Sequence, residues 1–191
     1  MDNNIVLSLY DFTGEALRPW AADGFTCYAF DIQHDAIPRV ETFEGGGSIT
    51  YVKEDLHSQA GLARVGDLYG AGGVAFAMAF PVCTDLAVSG AAHFERKRQA
   101  NPNFQREAVG HAVACSELFE RIGCPYFIEN PVSVLATQWR KPDHRFDPYQ
   151  FGGYIPQDEG PHPRWPEYIA PFDAYPKRTC LWSGGGFVMP P

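Results

Sequence analysis

The stretch Gly73-Val74-Ala75-Phe76-Ala77-Met78-Ala79-Phe80-Pro81-Val82-Cys83-Thr84-Asp85-Leu86-Ala87-Val88-Ser89-Gly90 carries the reading of the fold. It opens on an unbroken apolar run of strand length, as a strand buried on both faces does. Proline then stiffens a turn that holds a cysteine. A strand ending in this way presents side chains at its carboxyl edge, where ligands bind in open α/β sheets. A cysteine there is a candidate nucleophile, provided that its thiolate is favoured and reachable. Its plainer reading is a small buried residue closing a turn.

Working outward, Ile5-Val6-Leu7-Ser8-Leu9-Tyr10 reads as a first strand, closed by the turn Asp11-Phe12-Thr13-Gly14. A glycine in such a turn lets a ligand approach the backbone closely. Glu15 to Ala22 reads as a short helix that Pro19 confines or kinks. Phe25 to Phe30 is a second strand ending in Asp31. An acid at that position can accept hydrogen bonds from ribose hydroxyls, or it can be a turn residue. Gly45-Gly46-Gly47 reads as a flexible connection, Ile49 to Val52 as a third strand, and Leu62 to Tyr69 as a helix. Past the fourth strand, Val74 to Met78, the polar stretch from His93 to Asn103 lacks apolar periodicity and predicts a mobile loop. Val109, Val113, Leu118 and Phe119 recur at helical spacing, so Phe104 to Ile122 is the longest helix, capped by Gly123. Pro125 to Ile128 is a fifth strand, leading into Glu129-Asn130-Pro131. A strand near Pro148 to Phe151 and a last one at Thr179 to Trp182 follow, with Ser183 to Gly186 as a closing turn. The alternation predicts an α/β fold: a single doubly wound, mostly parallel sheet forming one domain over 1–191, with an irregular segment at 142–178.

Composition narrows the function classes. A hydrophobic content of 45% with 20% charged residues is globular, and no apolar stretch approaches a membrane span. The polar start Met1-Asp2-Asn3-Asn4 does not read as a signal peptide. Five unclustered cysteines, at 27, 83, 115, 124 and 180, argue against a disulfide framework and for a reducing cytoplasm. Cys27, Cys115, Cys124 and Cys180 sit in strand or helix patterns and read as packed core. The six histidines show no metal-ligand spacing, so no metal is expected. The net charge of −8 disfavours a polyanion partner globally, yet Arg96, Lys97, Arg98 and Arg106 make a local basic run beyond Cys83.

Taken in order, these motifs resemble the S-adenosylmethionine-dependent DNA cytosine-5 methyltransferases, in a small, phage-type form, over residues 5–131. Asp11-Phe12-Thr13-Gly14 resembles the family's D-L-F-x-G cofactor turn, with Glu15-Ala16-Leu17 replacing its later glycines. Asp31 falls at the ribose-binding acid and Asp55-Leu56 at the adenine contact. Pro81-Val82-Cys83-Thr84-Asp85-Leu86-Ala87-Val88-Ser89-Gly90 is similar to P-P-C-Q-x-F-S-x-A-G, with Val82 for a proline and Thr84 for a glutamine. Tyr126-Phe127-Ile128-Glu129-Asn130-Pro131 resembles the strand ending in E-N-V.

The resemblance implies a class I, Rossmann-like methyltransferase sheet and S-adenosyl-L-methionine as cofactor, held by Asp11 to Gly14, Asp31, Ile32, Asp55, Leu56 and Pro81. It implies Cys83 as the nucleophile toward carbon 6 of cytosine. Glu129 would protonate ring nitrogen 3 and read the exocyclic amine, with Asn130 positioning Glu129 or the turn. Such a pair requires both side chains to face one cleft, about one pyrimidine ring apart. Ser89, Arg96, Lys97, Arg98, Arg140 and Lys141 are the expected substrate contacts. DNA is the expected partner, reached in the cytoplasm of a host cell if the chain is phage-encoded. A free pyrimidine nucleotide such as dCMP is the alternative, because the chain has no room for the family's target-recognition domain beyond 142–178. A non-catalytic cofactor- or nucleotide-binding module of the same fold is the third reading. The sequence sets no oligomeric state.

Overall fold

In a computed structural model, which describes residues 3–69, 72–162 and 165–191, the chain forms one eight-stranded sheet with helices on both faces. The reading of Met1-Asp2 lies outside the described residues. The strands are β1 (Ile5–Leu9), β2 (Thr26–Asp31), β3 (Arg39–Thr42), β4 (Ser48–Lys53), β5 (Val74–Ala79), β6 (Tyr126–Pro131), β7 (His144–Phe146) and β8 (Thr179–Gly184). Their order across the sheet is β3-β4-β2-β1-β5-β6-β8-β7. β4, β2, β1, β5 and β6 run parallel, while β3 and β8 pair antiparallel to their neighbours. From β1 the chain winds outward through β2 to β4, then returns to lay β5 on the other side of β1. That reversal is the topological switch point at which open sheets bind ligands.

The apolar runs fold as strands because their alternate side chains fill two separate cores. Leu7, Leu9, Ala77, Ala79, Tyr126 and Ile128 pack toward one face with Leu62, Val65, Ala112, Leu118 and Phe119. These last residues belong to α2 (Gln59–Tyr69) and α4 (Phe104–Ile122). Val6, Cys27, Ala29, Ile49 and Met78 pack toward the other face with Leu17 and Ala21. α4 buries Phe104, Ala108, Ala112, Cys115, Leu118, Phe119 and Ile122, one stripe at helical spacing. Gly123 closes it with φ 78° and donates its N–H to the Phe119 carbonyl.

The structure departs from the sequence expectations in four places. Pro19 sits in the first turn of α1 (Arg18–Ala22), after a 3-10 turn at Glu15–Leu17; it starts the helix there instead of kinking it. Gly45 and Gly47 are not a loose connection. They close the β3–β4 hairpin against the carbonyls of Ala22 and Ala21, at approaches that leave no room for a Cβ. The polar stretch past Gly90 is helical, with a 3-10 turn at Val88–His93 and α3 (Phe94–Ala100). No apolar stripe marks α3 because its residues are exposed or half-buried, and Glu95 pairs with Arg98 along the surface. The strand placed near Pro148–Phe151 lies earlier, as β7, and Pro148–Tyr154 is a 3-10 turn under an Asp147–Gln150 capping box. The sequence also gave no sign of the single-turn α5 (Leu135–Gln138). Among the described residues no helix is long and apolar enough to cross a membrane.

Candidate functional site

At the carboxyl edge of β1 the backbone turns sharply: Tyr10 takes φ 58°, a left-handed conformation that costs about 1 kcal/mol or more for a side chain. The Tyr10 hydroxyl donates to the Leu56 carbonyl at 2.9 Å, which braces the bend, and burial holds that hydroxyl protonated by pushing its pKa far up. Asp11, only 6% exposed, then holds the turn from inside. Its Oδ2 accepts from Ser8 Oγ at 2.7 Å and its Oδ1 from the Gly14 N–H at 2.7 Å. Both carboxylate oxygens are thereby used by the chain itself, so Asp11 shapes this turn rather than reaching outward. Gly14 is required by φ 71° and by Tyr51, whose hydroxyl would lie 2.7 Å from any Cβ. His34, which the sequence did not single out, is buried behind the turn. Its Nε2 lies 3.1 Å from the Asp11 carbonyl, an acceptor only, so that nitrogen carries the hydrogen. Phe12 stacks on the His34 ring. A cavity of about 320 Å³ lined by Phe12, Thr13, His34, Arg39 and Tyr51 flanks the turn.

Beside it, the ends of β2 and β4 bring Asp31, Ile32, Asp55 and Leu56 to one small cleft of about 90 Å³, with Tyr10, His57 and Val82. Asp31 Oδ1 accepts from the Gln33 N–H at 2.8 Å, and Asp55 Oδ1 accepts from the His57 N–H at 3.1 Å. The second oxygen of each carboxylate has no hydrogen bond among the described residues. Ile32 and Val82 are more than half exposed, unusual for aliphatic side chains in a cleft. Two carboxylates with a spare oxygen each therefore stand between apolar walls in this cleft. Val82 departs from the expected proline, yet it lines this cleft. Pro81 is buried beneath it.

The cysteine turn is built from the other side. The Cys83 carbonyl accepts from the N–H groups of Leu86 and Ala87 at 2.9 and 2.8 Å, and Leu86 is fully buried. Residues 83–87 are thus one tight turn anchored at its far end, leaving Cys83 exposed. Lys97 of α3 clamps the turn by donating to the Thr84 carbonyl at 2.8 Å and to Asp85 Oδ1 at 2.6 Å. Of the five cysteines, Cys83 alone is exposed. Burial pushes Cys27 and Cys115 up to about 12 and Cys124 up to about 11.

β6 delivers Glu129 and Asn130 to opposite faces of the sheet. Asn130, 1% exposed, donates from Nδ2 to the Pro81 carbonyl at 3.0 Å, tying the end of β6 to the root of the Cys83 turn. The Val88 N–H to Val132 carbonyl and Val134 N–H to Leu86 carbonyl bonds, both 3.0 Å, continue that seam. Glu129 points the other way, into a cavity of about 480 Å³ lined by Phe80, Phe146, Phe151, Tyr175 and Lys177. Burial raises the Glu129 pKa, and the Lys177 ammonium partly offsets this. Cys83 is not part of that lining. The two side chains leave neighbouring strand ends joined through the backbone seam, and the cavities that Glu129 lines do not include Cys83, so the expected single cleft shared by the pair is not found among the described residues.

The expected substrate contacts divide. Ser89, Arg96 and Lys141 are exposed. Lys97 is committed to Asp85, Arg98 to Glu95 at 2.8 Å, and Arg140 to Asp143 at 2.6 Å and to the Ser183 carbonyl at 3.0 Å. Among the described residues no group of three or more His, Cys, Asp or Glu side chains is placed to hold a metal ion. No family model matches the chain, and no curated protein matches it at a significant level.

Proposed function

We propose that the chain methylates carbon 5 of cytosine, with S-adenosyl-L-methionine as methyl donor and Cys83 as the covalent nucleophile. The observation that carries this reading is the seam between Asn130 and Pro81. It holds an exposed thiol and a carboxyl whose pKa burial raises at adjacent strand ends, beside a cleft with two available carboxylates.

The polar groups of the cleft suit the cofactor's adenosine, of which a volume of about 90 Å³ takes only a part. Asp31 would take the ribose hydroxyls, Asp55 the adenine amine, and Ile32, Leu56 and Val82 the ring. When bound there, the cofactor supplies a methyl group activated on a sulfonium. Carbon 5 of cytosine is too weak a nucleophile to take that group unaided. Addition of the Cys83 thiolate to carbon 6 pushes electron density onto carbon 5. The resemblance gives Glu129 the role of protonating ring nitrogen 3 to relieve the charge formed there, a role that requires the base to reach from the Cys83 turn to the Glu129 cavity, whose lining does not include Cys83. The raised pKa of Glu129 keeps it protonated further toward neutral pH than an ordinary glutamic acid. Carbon 5 would take the methyl group as its bond to the donor's sulfonium breaks, leaving a neutral thioether, and then lose its proton to a base or water. The bond between carbon 6 and sulfur breaks as ring nitrogen 3 gives back its proton, and the thiolate is regenerated.

Incubation with cofactor labelled in the methyl group, against separate pools of DNA and cytosine nucleotides, tests the reading. Label should enter one pool, and Cys83→Ser should abolish it. Label on neither pool at high protein concentration would leave a non-catalytic binding module.

A further inference from the structure

We infer that His111 of α4 is a positioning residue for the cofactor. Stacked on His57, it holds the turn that aims the spare Asp55 oxygen at the adenine amine, so that acid pH, by charging the stack, loosens the cofactor. This rests on the methyltransferase reading above and concerns the binding step alone.

The turn after β4 is held from several sides. The His57 N–H donates to Asp55 Oδ1 at 3.1 Å, and the Ser58 hydroxyl donates to the Asp55 carbonyl at 2.8 Å. The Tyr10 hydroxyl donates to the Leu56 carbonyl at 2.9 Å. The ring of His57 has its own anchor. It stacks on His111 with centroids 4.1 Å apart and planes 12° apart, and the Tyr10 ring stands 5.6 Å away. His57 is exposed and lines the cofactor cleft, while His111 is half-buried on a helix packed into the core. The stack thus ties the residue whose N–H orients Asp55 to a rigid element.

Charge undoes this arrangement. An imidazolium at His57 stands two residues from Asp55 and competes with the adenine amine for the spare carboxylate oxygen. A proton on each ring sets two like charges about 4 Å apart, which parts the stack. Burial and the neighbouring His57 ring hold the His111 pKa below the histidine range, with Glu107 and Asp55 pulling the other way. The other groups near the pair are Asp31 across the cleft, Glu54, which Arg64 holds at 2.6 Å, and Tyr10 and Cys115, whose protons burial retains. Of these side-chain types, histidine is the one that titrates between about pH 5 and 8. The cofactor binds the uncharged stack, so affinity is full at neutral pH and falls as pH drops through the histidine range. By linkage, bound cofactor moves the titration of the pair to lower pH.

The test is calorimetric titration of S-adenosyl-L-methionine into the wild-type chain, His111→Leu and His111→Phe at each pH, where the ligand's own titration is common to all three. Wild-type affinity should be at least about threefold weaker at pH 5 than at pH 7.5. His111→Leu, which loses the ring, should bind about threefold or more weaker at pH 7.5. His111→Phe, which keeps a ring and cannot be charged, should recover most of that loss and show a flatter profile than wild type. Histidine resonances in NMR should titrate at lower pH once the cofactor is added. Wild-type affinity that does not fall in acid, or His111→Phe with the full wild-type pH dependence, overturns the inference while the cofactor reading stands. Unchanged affinity of His111→Leu at pH 7.5 overturns the positioning role. Binding by no chain at any pH overturns the cofactor reading and this inference with it.

Discussion

Asn130 donates a 3.0 Å hydrogen bond to the carbonyl oxygen of Pro81, across 49 residues of chain, and thereby fixes where the Cys83 turn leaves the sheet. Asn130→Ala removes the donor from a fully buried pair. Urea unfolding should show a loss of about 1–3 kcal/mol, the usual cost of orphaning a buried polar group. Asn130→Asp should be worse, because it sets a carboxylate against the carbonyl. Ser133 is a control on the same seam. Its hydroxyl is buried without a partner among the described residues, so Ser133→Ala should be neutral or mildly stabilising.

Thiol chemistry should single out Cys83. With the other cysteines buried and three of them raised to about 11 or 12, one thiol should react with iodoacetamide at pH 8. The remainder should be slower by on the order of 100-fold or more. Peptide mapping by mass spectrometry identifies the site. Fast labelling at Cys27 or Cys115 would contradict the packing described.

Glu129 gives a pH signature. Because burial raises its pKa, the folded chain holds this proton more tightly than the unfolded chain does. The resulting stability is full below the unfolded pKa and is lost as pH rises through the folded one. Glu129→Gln should therefore melt higher than wild type at neutral pH, with the gap closing under acid conditions. A Glu129→Gln chain that melts lower at neutral pH would mean that Lys177 outweighs burial.

Cofactor binding can be read independently of turnover. Asp31→Ala should weaken S-adenosyl-L-methionine by about 10–100-fold in calorimetry, the worth of charge-assisted hydrogen bonds, with circular dichroism unchanged. Undiminished affinity would take the ribose out of that cleft.

Gly14→Ala tests the turn that borders it. A Cβ at φ 71° beside the Tyr51 hydroxyl should cost about 2 kcal/mol or more in thermal or urea unfolding. Unchanged stability would show that the turn adapts.

Much of the sheet was legible because its strands are apolar runs closed by acids or glycines. β3 was not: Arg39-Val40-Glu41-Thr42 is a short edge strand with one apolar residue, and pairing with β4 alone makes it a strand. α3 escaped for a related reason, since a helix without a buried stripe leaves no periodicity to read. At the site, Asp31 came forward as the acid that ends the second strand, and Asp55 as the acid that the family resemblance sets after the next one. Tyr10, His34 and Val82 could not be found that way, because their roles come from a bent φ, a ring behind a turn and a neighbouring strand end.

Local sequence therefore determined which of the buried apolar segments are strands, that Cys83 follows one of them, and that acids close β2 and follow β4. Those features follow from side-chain hydrophobicity and turn chemistry within a dozen residues. Tertiary structure alone decided which charges remain available and which way Glu129 looks. Lys97 meets Asp85 across 12 residues and Arg140 meets the Ser183 carbonyl across 43, contacts that exist only once the strand order is set. Glu129 and Asn130 are chain neighbours, yet the pleat of β6 sends one to an aromatic cavity and the other to the cysteine turn.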